Sequence, residues 1–305
     1  METVAFYSYK GGVGRSLLLA NAAWYLAAIG KSVVALDFDF EAPGLHYKLV
    51  GRQHLLRPDQ LTYGAVMNER DPFTLSFGVV PYLNATVEGT GSPPPIEEHI
   101  VTVSQADAKG WIKLMPAGPA PSQIYWAALK ELNDNLRLSD PSGRGFMAFL
   151  DLQARIADEL KPDYLLIDAR TGVTELGSLA TTVLADTVVC MFVANQESVD
   201  GTLAVAEALT AAPRLASQSP LRVVPLLSRD TAQRSEDFEG GIQKLLNLSE
   251  GWRLLRLPHD DMLQTSELLA GGAWKPAFSS PLHKAYLDLF RNLFNSDYAA
   301  RKRPD

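Results

Sequence analysis

The chain carries a single cysteine, Cys190, among its 305 residues. One thiol excludes an internal disulfide and any thiolate-held metal cluster. It stands inside the apolar run DTVVCMFVA, where a buried structural thiol is the expected state. Long hydrophobic stretches are missing as well, because no run reaches the roughly 18 apolar residues of a membrane span. Excess positive charge is also absent: 28 Lys and Arg face 35 Asp and Glu, a net charge of −7. No global basic field therefore draws the molecule to nucleic acid or to an anionic membrane. The opening residues enter a strand and lack a signal-peptide layout, so a cytoplasmic location is expected. The five histidines (His46, His54, His99, His259 and His283) show no metal-ligand spacing. Each reads as a surface or satisfied polar residue.

What is present is a regular alternation of short β-branched runs with longer helical stretches. That order points to an α/β fold, a doubly wound and mostly parallel sheet flanked by helices. Strands are expected at TVAFYS, SVVALDF, GWIKLMP, DYLLIDA, DTVVCMFVA, LRVVPLLS and GWRLLRL. Helices are expected over about 14–29, 121–136, 144–160, 174–184, 198–212, 235–247, 261–271 and 281–295. The Pro/Gly/Ser-rich stretch TGSPPPIEEH lies in a long insertion at about 51–110, read as surface decoration. A single domain over 1–295 with a short basic tail, 296–305, accounts for the whole pattern. Trp252 and Trp274 read as core or groove residues and not as stacking platforms for nucleic acid.

Chemistry concentrates at residues 10–16, KGGVGRS, between the first strand and the helical run RSLLLANAAWYLAAIG. Glycines let a backbone approach phosphate closely, and the amides and dipole of the following helix favour negative charge. A plain strand-to-helix turn would require Gly11, Gly12 and Gly14, but not Lys10, Arg15 and Ser16 beside them. Arg15 stands where a phosphate loop normally carries lysine, and Ser16 can offer its hydroxyl to Mg²⁺. Two later strands end in acids: ALDFDFEAPG supplies Asp37 and Asp39, and YLLIDARTG supplies Asp168. In a parallel sheet these ends lie beside the first loop. An Asp at a strand end is commonly a turn former, but three converging on one such loop suggest a site.

Together these segments resemble the ParA/MinD-type ATPases, whose deviant Walker A motif reads KGG-x-G-K-[ST]. LANAAWYLAAIGKSVVALDFDFEAPGL is similar to that family's first helix, second strand and switch I. DYLLIDARTGVTE resembles its Walker B and switch II, and LPHDDMLQTSE its late loop near the nucleotide base. The resemblance implies ATP and Mg²⁺ as ligands and a homodimer bridged by ATP. Lys10 then matches the signature lysine that reaches across the dimer to the partner's phosphates. Gly11, Gly12, Val13, Gly14, Arg15 and Ser16 would wrap the phosphates of their own chain. Asp39 would orient the attacking water, Asp168 would support Mg²⁺ through water, and Arg229 and Pro258 would flank the adenine. Ser228 stands where the family often has Asn before that arginine.

Guanidinium is a broad planar fork and ammonium a compact charge, so Arg15 keeps the charge but changes the clamp. The implied activity is slow ATP hydrolysis that switches dimerisation and signals to an unidentified effector or partner protein. The alternative is a non-hydrolysing ATP-binding module, in a multi-gene bacterial defence or signalling system by analogy alone. Iron–sulfur and zinc-clamped relatives need cysteines, and kinase-like relatives need a tyrosine cluster where this chain has only Tyr298 near its end. The last helix places Leu282, Tyr286, Leu289, Phe290, Leu293 and Phe294 on one face. It is expected to pack on the sheet, with membrane binding as the alternative. DNA or membrane contact is not favoured.

Overall fold

A computed structural model describes residues 1–50, 77–88, 92–103, 109–119, 122–136, 143–214, 219–231, 236–248, 254–261 and 281–294. Its centre is an eight-stranded sheet. The strands are β1 (Glu2–Ser8), β2 (Ser32–Asp37), β3 (Val101–Val103), β4 (Trp111–Met115), β5 (Tyr164–Asp168), β6 (Thr187–Phe192), β7 (Arg222–Asp230) and β8 (Leu255–Pro258). They run in the order β3-β4-β2-β5-β1-β6-β7-β8. Every pairing is parallel except β3 with β4.

The central strands are mostly apolar along their middles because both faces are covered. In β1, Val4 and Phe6 face one core while Ala5 and Tyr7 face the other. The first face takes α1 (Arg15–Ala28), α2 (Leu45–Leu49) and a helix at Pro281–Leu293. The second is covered by α3 (Val79–Glu88), α4 (Gln123–Asn135), α5 (Arg144–Arg155), α6 (Glu175–Ser178), α7 (Gln196–Ala211) and α8 (Glu236–Leu248). Helix Pro281–Leu293 is α9. α5 and α6 each continue as a π-helical turn, to Leu160 and Leu184. Cys190 is buried as expected.

The last helix is packed, not free. Leu282, Tyr286, Leu289, Phe290 and Leu293 are all buried, and Phe290 lies 5.4 Å from the Tyr25 ring of α1. No described helix is long and apolar enough to cross a membrane. The helix expected over 261–271 lies outside the described residues except for Asp261, as do His54, Trp252, Trp274, Tyr298 and the 296–305 tail.

Part of the span expected to be surface decoration is core instead. Val79, Val80, Tyr82 and Leu83 of α3 are fully buried, and β3 extends the sheet. Of two buried histidines, His99 is the satisfied polar residue expected and His46 departs from the expectation of a surface or satisfied residue. His99 is buried with Nδ1 3.2 Å from the Gly78 carbonyl. His46 is buried with its Nδ1 unpartnered, and burial lowers its pKa to about 4. Their neighbours come from distant elements, which local sequence does not reveal.

Gly78 is the pivot of α3. Its φ is +107°, and a Cβ there would lie 2.6 Å from the Pro116 carbonyl oxygen and 2.8 Å from Gly118 Cα. Val79 and Val80 donate to the carbonyls of Pro116 and Ala117 at 2.8 and 2.9 Å, so the segment cannot draw back without losing both bonds. Gly78→Ala should therefore cost about 2–4 kcal/mol from strain and overpacking. Urea denaturation checks this, and a loss under about 1 kcal/mol would mean that residues 116–118 yield freely.

Candidate functional site

β1 lies between β5 and β6 in the sheet. The chain builds β2, β4 and β5 on one side of it and β6, β7 and β8 on the other. At such a reversal the connections leave in opposite directions, and a crevice opens above the carboxyl ends of the strands. Here the crevice is a cavity of about 610 Å³ whose floor is the loop after β1.

Gly11, Gly12, Val13, Gly14, Arg15 and Ser16 all line it. Gly12 and Gly14 take φ values of +75° and +93°, a conformation that suits glycine. A Cβ at Gly11, Gly12 or Gly14 would meet no protein atom within 4 Å and would project into open space. Gly14 begins α1 without a side-chain cap, so the first-turn amides are left for another acceptor. Ser228 pins this loop from β7, its hydroxyl donating to the Val13 carbonyl at 2.7 Å.

The acids converge in an order the sequence did not predict. β2 is not adjacent to β1, because β5 lies between them and sets Asp37 level with Asp168. Asp168 therefore sits beside the loop, and the two acids of β2 stand one strand further out. Asp37 is fully buried and accepts from the amides of Asp39, Gly44 and Leu45 at 3.1, 3.2 and 3.1 Å. Its part is to shape the 39–44 loop and start α2. Desolvation, reinforced by Asp168, pushes its carboxyl well above the usual range. Asp39 is held between buried Phe38 and Phe40, and the Tyr125 hydroxyl donates to the Phe40 carbonyl at 2.7 Å.

Arg15 links these pieces. Its side chain is 6% exposed, with Nη2 2.6 Å from Asp39 Oδ2 and Nε bonded to Asp168 Oδ1. Nη1 approaches Ser8 Oγ at 3.4 Å. The expected phosphate cation thus rests between two carboxylates. Asp39 still has its pKa raised, because desolvation outweighs the attraction of Arg15. Asp168 Oδ2 is buried and has no hydrogen-bond partner.

Lys10 stands apart. It is not among the residues lining the cavity, and its ammonium pairs with Glu197 Oε1 of α7 at 2.6 Å. Arg229 and Pro258 do line the cavity, on its β7–β8 side. Arg229 has φ +53°, a left-handed conformation at an irregularity in the β7–β8 pairing. Strain of that kind is found where a side chain must be aimed. Sequence reasoning missed the Arg170–Glu41 ion pair and Lys48, which line the charged side, and Leu282 and Tyr286 of α9 on the apolar side. The arginine after Asp168 was visible in the sequence, but its acidic partner is 129 residues away.

No protein-family profile matches the chain. The chromosome-partitioning ATPase Soj of Thermus thermophilus is 32% identical over 104 residues, spanning 33% of this chain and 41% of Soj. Among solved structures, MinD from Pyrococcus horikoshii, complexed with Mg-ADP, superposes with a TM-score of 0.61 at 15% identity, covering 99% of each chain. The MinC:MinD complex from Aquifex aeolicus gives 0.59 at 18% identity, covering 100% of this chain and 98% of that one. The fold is that of the ParA/MinD-type P-loop ATPases, as its segments resembled.

Replacing Arg15 by Met would leave Asp39 and Asp168 without their buried cation. The fold should lose about 3–5 kcal/mol at pH 7, the usual cost of stranding buried charge. Without the cation, the Asp39 carboxyl, already raised by desolvation, rises further above its unfolded value. The penalty is then full at neutral pH, shrinks as pH falls through the raised folded value, and vanishes below about 4, where both states become protonated. Denaturation of wild type and Arg15→Met across that range checks the sign. A deficit independent of pH would mean that Arg15 acts through packing alone.

Proposed function

We propose that this chain is an ATP-binding, slowly hydrolysing dimerisation switch of the ParA/MinD type, signalling to a partner protein. The observation that carries the reading is the cavity over residues 11–16, where three glycines leave open space beneath uncapped helix amides. That cradle suits a polyphosphate. A neighbour in fold is complexed with Mg-ADP and another with MinC, and the Soj relative is an ATPase by description. The same ligand class, and a protein partner not yet identified, are proposed here, in a cytoplasmic homodimer.

The loop amides would hold the β- and γ-phosphates. Arg15 would leave Asp39 and Asp168 to join the phosphates, a move that keeps its charge paired throughout. Freed of Arg15, Asp39 would orient the attacking water and accept its proton. Lys10, paired with Glu197 outside the cavity, is free of any clamping role in its own chain and would serve a second copy. Magnesium, when bound with the nucleotide, supplies charge that neutralises the phosphate oxygens. Ser16 would hold it, and Asp168 would act on it through water, a role that the unpartnered Asp168 Oδ2 fits. Arg229 and Pro258 would flank the base.

A second reading, an ATP-binding module without turnover, is favoured by one observation. Arg15 engages both carboxylates that hydrolysis would use, and a nucleotide that failed to displace it would be held but not cut.

Gly14→Val should abolish ATP binding, because a β-branched side chain at φ +93° is strained and fills the phosphate space. Unchanged affinity by calorimetry would remove the phosphate-loop reading. Asp39→Ala should keep ATP bound and lose most turnover; a wild type with no turnover would select the module without hydrolysis.

Lys10 and Arg15 should separate by nucleotide and by oligomeric state. Lys10→Ala should leave ADP affinity nearly intact and weaken ATP-induced dimerisation, read by light scattering. Arg15→Ala should weaken both nucleotides roughly 10- to 100-fold, the worth of a charge-assisted contact. Equal loss of ADP binding in the two variants would place Lys10 in its own chain's site and remove the main support for a dimer switch.

A further inference from the structure

The cavity has two unlike halves. Its β2–β5 side carries Asp39, Glu41, Lys48 and Arg170, whereas its β6–β8 side carries Met191, Leu257 and Pro258 beside Ser228 and Arg229. Two more apolar walls come from α9, Leu282 and Tyr286. They lie four residues apart and therefore on one face of the helix. No motif marks them, because their helix reads as an ordinary packed amphipathic element.

Tyr286 is held rigidly. Its ring stacks on Phe290 at 5.7 Å with an interplanar angle of 6°, and Phe290 in turn meets Tyr25 of α1. The Tyr286 hydroxyl makes no hydrogen bond to another described residue. Burial, helped by Asp260, keeps that phenol protonated, so it is a donor at neutral pH. A fixed aromatic ring with an uncommitted donor, beside a leucine and a proline, is a surface for a flat heterocycle bearing acceptor nitrogens.

We infer that Leu282 and Tyr286 of α9 form the wall against which the nucleobase packs, and that the Tyr286 hydroxyl donates a hydrogen bond to the base edge. The inference rests on the nucleotide reading above and adds residues to it. Arg229 and Pro258 would close the base from the sheet side, and α9 would close it from the helix side. Ser228 has no donor left for the base, because its hydroxyl proton is spent on the Val13 carbonyl. Base recognition thereby moves from the β7 strand end to the C-terminal helix, and seating of the base is coupled to docking of α9 on the sheet.

The test compares ATP with inorganic tripolyphosphate, which carries the phosphates but no base. Binding of each is measured by calorimetry to wild type, Leu282→Ala, Leu282→Met and Tyr286→Phe. Leu282→Ala should weaken ATP roughly tenfold through lost apolar contact and leave tripolyphosphate within about twofold. Tyr286→Phe, which keeps the ring and its packing, should weaken ATP roughly fivefold, the worth of one neutral hydrogen bond. Leu282→Met should restore most of the ATP affinity by refilling the wall. An unchanged ratio of ATP to tripolyphosphate affinity in both Leu282→Ala and Tyr286→Phe overturns the inference, and so does a parallel loss of both ligands. If wild type binds neither ligand, the nucleotide reading itself fails, an outcome distinct from either.

Discussion

A buried guanidinium between two carboxylates organises this molecule's site. Arg15, Asp39 and Asp168 come from the first helix and from the ends of two different strands, and the two carboxylates share the one guanidinium. Removing a charge from water costs several kcal/mol, which mutual attraction offsets only when the partners are close and well aligned. The parallel sheet provides that alignment. β5 lies directly beside β1, so Asp168 is within reach of the first residue of α1. Asp39 lies just past β2, one strand further out, and Arg15 is long enough to reach it. A lysine has one point of charge and could not fork between two acids in this way. The departure from the usual loop is thus matched by its surroundings.

The same ion cluster ties up the groups proposed to act on the nucleotide. Both acids that would serve hydrolysis are engaged by the residue that would clamp phosphate. Exchange of Arg15 from carboxylate to phosphate would conserve its own pairing but free both carboxylates, a cost that the bound nucleotide and its cation would have to offset. Such a balance suits a switch better than a rapid enzyme. Lys10 lies outside the cavity, held by an exposed ion pair with Glu197. Exposed pairs contribute little, so that cation is readily available to another partner.

The division of the cavity follows from the reversal of strand order at β1. Strands added on one side end in Asp39 and Arg170, while those on the other end in Met191, Arg229 and Pro258. A ligand lying across the loop therefore meets a cluster of both charge signs at one end, and apolar surface edged by the single cation Arg229 at the other. α9 completes the apolar end only because it crosses α1 and packs on the same face of the sheet. Its burial stabilises the fold and shapes the site together.

The strand–loop–helix at residues 2–28, the acidic strand ends and the helical period of α9 were legible in the sequence, because each is a local pattern of backbone or spacing. The open glycines needed no tertiary knowledge, since their conformational freedom is intrinsic. Strand order was not legible. β5 is inserted between β1 and β2 after more than a hundred residues of intervening chain, and that insertion sets Asp168 beside the loop and Asp39 one strand further out. The burial of α3, His46 and His99, the left-handed Arg229 and the Glu41–Arg170 pair likewise depend on neighbours remote in sequence. So does the presence of Tyr286 in the cavity. A chain specifies its turns and periodicities through contacts within a few residues, but which side chains share a cavity depends on how the finished sheet stacks its strands and helices.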